Sequence, residues 1–185
     1  MPSEYKILLV GTMGAGKTTA IAAVSDRPPI STDVMNTTRH DFDKATTTVA
    51  MNYGEVSLSG GDTLRLYGTP GQERFAFMWT ILARSALGIV FLIDNSRPDP
   101  CADLRMFLDA FGDTLRDATA VIGVGRTETH PKPALDAYHA VLRDRQLSLP
   151  VFAVDVRKRG DVLLMLDVLF HQIEALVPVN VEKPR

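Results

Sequence analysis

Tyr5-Lys6-Ile7-Leu8-Leu9-Val10-Gly11-Thr12-Met13-Gly14-Ala15-Gly16-Lys17-Thr18 is the stretch on which the fold turns. From Gly11 it follows the pattern glycine, any four residues, glycine, lysine, serine or threonine, which is a phosphate-cradling loop. The apolar run before it has the length of a buried strand. Lys17 to Val24 reads as the start of a helix rich in Thr and Ala. Glycines let the chain turn sharply and bring bare N–H groups against phosphate oxygens. The helix N-terminus adds unpaired N–H groups and positive potential. In this pattern Lys17 reaches the β- and γ-phosphates and the Thr18 hydroxyl takes a place on Mg²⁺. Gly11, Met13, Gly14, Ala15, Gly16, Lys17, Thr18 and Thr19 are therefore the candidate phosphate-binding residues.

Outward from this loop, strand and helix signals alternate. Thr47 to Leu58 alternates apolar residues and predicts a strand with a bulge at Gly54. Ser59-Gly60-Gly61-Asp62 predicts a hairpin turn into a strand over 63–67. Helical character runs from Gln72 to Arg84, and Leu87 to Ile93 is a strand apolar on both faces. Asp99-Pro100 marks a helix start extending to about Leu115, with Leu104, Phe107, Leu108 and Phe111 at helical spacing. Buried strands are expected over 119–124 and 150–155, and helices over 133–145 and 160–176. The last helix is expected to turn Leu163, Leu166, Leu169, Phe170 and Ile173 inward. The reading is a three-layer α/β/α fold with a six-stranded, mostly parallel sheet and one antiparallel edge strand. Ligands of such sheets bind beyond the carboxyl ends of the strands. Pro28 to Ala45 shows no periodicity, and so long a loop beside a phosphate site reads as a moving lid.

Composition narrows the classes. The chain has 185 residues, 45% apolar and 23% charged, with a net charge of −2. This suits one domain over 1–185 with a short tail from Pro178, and gives no reason to expect nucleic-acid binding. The lone Cys101 excludes an intrachain disulfide and a cysteine-rich metal site. His40, His130, His139 and His171 have no ligand spacing. No signal peptide, membrane-length apolar run or lipidation signal is visible, so the expectation is a cytoplasmic protein without a direct membrane anchor.

Tyr67-Gly68-Thr69-Pro70-Gly71-Gln72-Glu73-Arg74-Phe75 follows the strand after the hairpin. Here the chain resembles the Ras-like small GTPases, whose second nucleotide segment reads Asp-x-x-Gly-Gln, often continued Glu-Arg-Phe. The Thr-Pro-Gly-Gln wording is closest to the bacterial MglA-like and actinobacterial branch. The resemblance covers nearly the whole chain in motif order and spacing. It implies that Gly71 senses the γ-phosphate and that Gln72 orients the attacking water, with Lys17 as the second catalytic residue. Thr48-Val49-Ala50-Met51-Asn52-Tyr53 is similar to a Rab-type segment, which makes Thr48 a Mg²⁺ ligand beside Thr18, with Thr46 and Thr47 as competitors. The implied cofactors are Mg²⁺ and GTP or GDP. The implied partners are protein regulators and effectors, including a roadblock-type regulator.

Three departures from the family pattern stand out. Gly68 replaces the aspartate that holds Mg²⁺. Gly125-Arg126-Thr127-Glu128 replaces Asn-Lys-x-Asp, so Glu128 keeps the base-reading charge on a longer stem and Arg126 lies along the base. Met13 occupies a frequent glycine position and crowds Gln72, which predicts slow hydrolysis. The last family loop, Ser-Ala-Lys, aligns with Asp155-Val156-Arg157, where Val156 offers its backbone to the base. The expected function is a guanine-nucleotide switch in signalling or polarity. The alternatives are an adenine-preferring or promiscuous NTPase and a non-hydrolysing nucleotide-dependent scaffold.

Overall fold

The structure, a computed structural model, describes residues 2–35, 48–116 and 118–176. Its centre is β1 (Glu4–Val10), where successive side chains leave opposite faces of the sheet. Leu8 and Val10 enter one apolar cluster, and Ile7 and Leu9 enter another. The same division runs through β5 (Gly88–Asp94), whose Ile89, Phe91 and Ile93 face the first cluster and whose Val90 and Leu92 face the second. A strand buried on both faces has no room for alternating polar residues, which is why these runs are continuously apolar.

Helices complete each layer. The first cluster is closed by α2 (Ala76–Ala83), α3 (Pro100–Ala110) and α4 (Leu135–Asp144), which contribute Trp79, Phe107 and Tyr138. Trp79, Phe91, Phe107 and Phe111 form an aromatic nest with ring centroids 5.1–6.3 Å apart. The second cluster is closed by α1 (Lys17–Val24) and α5 (Arg159–Leu176) through Ile21, Val24, Met165 and Leu169. Asp99 caps α3 as its sequence suggests, its carboxylate accepting from the Ala102 N–H at 2.8 Å.

The sheet has seven strands in the order β2-β3-β4-β1-β5-β6-β7, one more than the sequence analysis counts. The additional strand, β2 (Ile30–Met35), lies inside the stretch read as structureless. It pairs antiparallel with β3 (Thr48–Ser57), from Ile30 opposite Tyr53 to Met35 opposite Thr48. β3 also pairs antiparallel with β4 (Thr63–Gly68). The expected single antiparallel strand is thus present, but it sits one place in from the edge, because β2 covers it. The remaining strands, β6 (Thr119–Gly125) and β7 (Val151–Val154), extend the parallel half beyond β5. Residues 36–45 of the expected lid, together with Thr46 and Thr47, lie outside the described residues, as does the tail from Pro178.

Two further expectations change. Gly54 makes no bulge, since the β3–β4 register runs unbroken from Asn52 opposite Gly68 to Ser57 opposite Thr63. A Cβ at Gly54 would meet Ser25 Oγ at 2.1 Å and Ile21 Cγ2 at 2.4 Å, so the glycine is the contact that lets α1 lie against the sheet. On α5 the inward side carries Val162, Met165, Leu166 and Leu169, whereas Leu163 is 39% exposed. Leu166, Leu169, Phe170 and Ile173 thus pack inward as expected, and Leu163 alone gives way, with Val162 and Met165 filling that side instead.

Candidate functional site

The carboxyl ends of β1, β4, β5, β6 and β7 share one edge of the sheet, because these strands run parallel. The loops leaving them build a trench in two parts, a cavity of about 350 Å³ beside Lys17 and one of about 380 Å³ beside Glu128. Gly14, Gly16 and Thr19 line both parts and join them into one surface.

The first part is built on the loop after β1. Gly14 and Gly16 adopt φ of 82° and 93°, the left-handed region that glycine enters without strain. Gly16 caps α1 with no side-chain cap, so the first N–H groups of the helix carry no side-chain partner. Lys17 is buried, and its Nζ donates to the carbonyls of Gly11 at 2.7 Å and Thr12 at 2.8 Å. Burial without a carboxylate partner pulls the Lys17 ammonium down to about 8. No Asp or Glu lines this part among the described residues. A lone buried cation beside free amides is an environment that an anion completes.

The segment after β4 closes the other wall. Thr69 N–H donates to Leu9 O at 2.9 Å, and the Trp79 indole donates to Pro70 O at 2.8 Å. These bonds lay Gly71 directly on the phosphate loop. A Cβ there would stand 2.4 Å from Met13 N and 2.7 Å from Thr12 C. Gln72 follows, its Nε2 3.9 Å from Met13 Sδ, while Met13 itself is 70% exposed. The crowding of Gln72 by Met13 expected from sequence is thus a direct contact. Thr12 Oγ1 and Thr69 Oγ1 are buried without a hydrogen-bond partner among the described residues.

These residues suit a polyphosphate: the cradle admits no Cβ at Gly71, the ammonium has no carboxylate beside it among the described residues, and glycines of the loop line the opening. The side-chain oxygens lining this part belong to Thr18, Thr19, Asn52, Thr69 and Gln72. Hard oxygen donors without a carboxylate suit Mg²⁺ that retains much of its water. Thr48 begins β3 opposite Met35, and its side chain lies outside the described residues.

The second part is assembled by Arg126, in the left-handed region at φ 64°. Its guanidinium donates to Asp94 Oδ2 at 2.6 Å, to Ser96 Oγ at 2.9 Å and to Gly14 O at 3.0 Å. One side chain therefore ties the loop after β6 to the end of β5 and to the phosphate loop. Beneath it, buried Asn95 donates to His130 O at 2.6 Å and Pro133 O at 3.1 Å and accepts from the Tyr138 hydroxyl, which fixes the loop carrying Glu128. Glu128, Val156 and Arg157 line this part. Arg157 grips Asp155 through two bonds of 2.7 and 2.8 Å, which holds the Asp155 carboxyl down at about 2. Val156 presses on the phosphate loop, since a Cβ at Gly16 would lie 2.7 Å from its Cγ2.

The structure thus gathers Met13, Gly14, Gly16, Lys17, Thr18, Thr19, Gly71 and Gln72 in one part and Ala15, Arg126, Glu128 and Val156 in the other. Gly11 contributes the carbonyl that holds Lys17. Asn52, Thr69 and Asp94 join them, although sequence reasoning did not single them out. The spacing of motifs along the chain carries no signal for residues that arrive from neighbouring strands.

A family described as "Conserved hypothetical ATP binding protein" matches residues 9–110. The chain is 23% identical over 177 residues to the Ras-related protein RabC of Dictyostelium discoideum, covering 92% of this chain and 84% of that one. It is 30% identical over 156 residues to the GTPase Obg of Synechococcus sp. (strain RCC307), covering 76% of this chain but only 44% of that longer protein. The Arl6 BBS3 small GTPase from Trypanosoma brucei, solved with the nucleotide analogue GppNp, superposes with a TM-score of 0.70 at 16% identity, covering 94% of this chain and 99% of that one. That likeness concerns the fold. These matches make the chain a member of the family described as conserved hypothetical ATP binding proteins, with a phosphate loop and a fold like those of the Ras-like small GTPases.

Proposed function

We propose that this chain is a guanine-nucleotide switch that binds GTP and GDP with Mg²⁺ and hydrolyses GTP slowly. What carries the reading is the two-part trench, with a buried ammonium that has no carboxylate partner among the described residues at one end and Glu128, beside the paired Asp94 and Asp155, at the other. Lys17 and the amides from Gly14 to Thr18 hold the β- and γ-phosphates. Thr18 and Thr48 are the residues that would hold Mg²⁺, which when bound would neutralise phosphate charge. Glu128 accepts from the N–H groups of guanine, Arg126 lies along the base, and the Val156 backbone borders it. Gln72 positions the attacking water, and its contact with Met13 supports slow unaided turnover. Bound triphosphate then biases the Gly71 segment, which already rests on the phosphate loop. Regulators that supply missing catalytic groups, including a roadblock-type partner of the MglA-like branch, and a cytoplasmic signalling or polarity role belong to this reading. No helix among the described residues is long and apolar enough to cross a membrane.

A second reading, adenine binding, is favoured by the glycine at 125, by the longer carboxylate at 128 and by the description of the matched family. Mass spectrometry of nucleotide released from the purified protein, followed by calorimetric titration with GDP and ADP in Mg²⁺, separates the two. The guanine reading expects GDP to bind at least about tenfold tighter, the worth of one charge-assisted hydrogen bond. Tighter ADP overturns it in favour of the second reading.

A further inference from the structure

Gly68 leaves the phosphate part of the trench without the side chain that would face a metal from β4. β3 compensates by register, because Asn52 stands directly opposite Gly68 in the antiparallel pair. A Cβ at Gly68 would lie 3.4 Å from Asn52 Cβ, 3.7 Å from Asn52 Nδ2 and 3.4 Å from Ile21 Cδ1. The side chain of residue 52 therefore borders the space that a side chain at 68 would enter, one turn along α1 from Thr18. Asn52 shares its face of β3 with Gly54 and Val56, and both of those pack toward α1. An apolar residue is the ordinary choice on such a face, and asparagine is a poor strand former. The Asn52 amide nonetheless lines the same cavity as Lys17, Thr18 and Gln72, and has no side-chain hydrogen bond among the described residues.

We propose that Asn52 is the metal-facing residue of this site, its amide oxygen accepting from the water shell of Mg²⁺ as a neutral group supplied by β3 where a carboxylate on β4 is missing. This rests on the Mg²⁺–nucleotide reading above. The site then carries one negative charge fewer than a carboxylate would give it, so Mg²⁺ is held weakly and nucleotide release depends on Mg²⁺ concentration.

The test is release of GDP bearing a fluorescent ribose label, followed as Mg²⁺ is titrated. Asn52→Asp is expected to lower the Mg²⁺ midpoint at least about tenfold, because a charged acceptor replaces a neutral one. Asn52→Ala is expected to raise it about threefold or more, the worth of a neutral hydrogen bond. The double change Asn52→Ala with Gly68→Asp is expected to bring the midpoint back to or below that of the unaltered chain. That double variant carries the comparison if Asn52→Asp does not fold. Midpoints that stay within about twofold in all folded variants, with labelled GDP still bound, overturn the role of Asn52 and leave nucleotide binding intact. Release that ignores Mg²⁺ in the unaltered chain does the same. No GDP binding at any Mg²⁺ concentration removes both readings together.

Discussion

Lys17 concentrates the electrostatics of the trench in one atom. Among the described residues its ammonium donates to the carbonyls of Gly11 and Thr12 alone, and burial lowers its titration from 10.5 to about 8. Below about 8 both the folded and unfolded chains keep the proton, so the folded state bears the whole cost of burying the charge. Between about 8 and 10.5 the unfolded chain holds more protons, and nucleotide-free stability rises with pH. Anion binding has the opposite sign. Phosphate requires the charged form, so affinity falls as pH climbs through about 8, and binding there takes up a proton. Calorimetry of GDP binding at pH 7 and pH 9, in buffers of different ionisation heat, reads that uptake, and equal proton counts at both values contradict it. Arg126 gives the second prediction at this scale. Asp94 is 6% exposed, its Oδ2 accepting from Arg126 Nη1 and its Oδ1 from the Ser96 N–H and hydroxyl. Arg126→Met leaves Asp94 Oδ2 without its charged donor, and the expected loss is about 1–2 kcal/mol in a denaturant melt, discounted because the guanidinium is half exposed. The same change releases the tether to Gly14 O, so nucleotide affinity falls more than stability does.

Elements transmit packing to the site. Gly54 has no chemical role, yet it sets how closely α1 approaches β3 and hence where Lys17 and Thr18 stand. Gly54→Val drives side-chain atoms into Ser25 and Ile21, and overpacking of this kind costs about 1–3 kcal/mol. Asp99→Ala serves as its counterpart, because losing the α3 cap costs about 1 kcal/mol at a helix that does not line the trench. Thermal melts are expected to fall for both variants, whereas GDP affinity drops only for Gly54→Val. What the sequence reveals about these elements follows the same physics. β1, α1 and β5 are legible because a continuous apolar run or a glycine loop leaves few alternatives. β2 is not, because Ile30-Ser31-Thr32-Asp33-Val34-Met35 becomes a strand only through its pairing with β3. Lys17 is picked out by the glycine-lysine pattern, and Gln72 and Arg126 by the resemblance to Ras-like motifs, and all three line the trench. Asn52 reaches the site through a cross-strand register that no spacing along one strand encodes.

At the scale of the whole molecule, the parallel strand edge makes the site a joint property of distant parts of the chain. Residues of the loop after β1, the segment after β4 and the loops after β6 and β7 meet only when the sheet is assembled. A ligand that spans both parts therefore binds the folded state alone, and its binding energy appears as stability. At a concentration about 100 times Kd the gain is about 2.7 kcal/mol, which for a domain of this size raises Tm by roughly 5–10 °C. GDP with Mg²⁺ is expected to produce such a shift and ADP with Mg²⁺ a smaller one at equal concentration, because guanine presents N1–H and its 2-amino group side by side to a carboxylate such as the one proposed at Glu128, whereas adenine sets its amino group beside an N1 that only accepts. Lys17→Met is expected to abolish both shifts. Its nucleotide-free Tm is expected to hold or rise, since the variant no longer buries a charge. A GDP shift that survives Lys17→Met unchanged places the stabilising contacts outside the trench. Equal shifts for GDP and ADP show instead that the phosphate part binds while the base part, with Gly125 and Glu128 in their altered positions, does not discriminate.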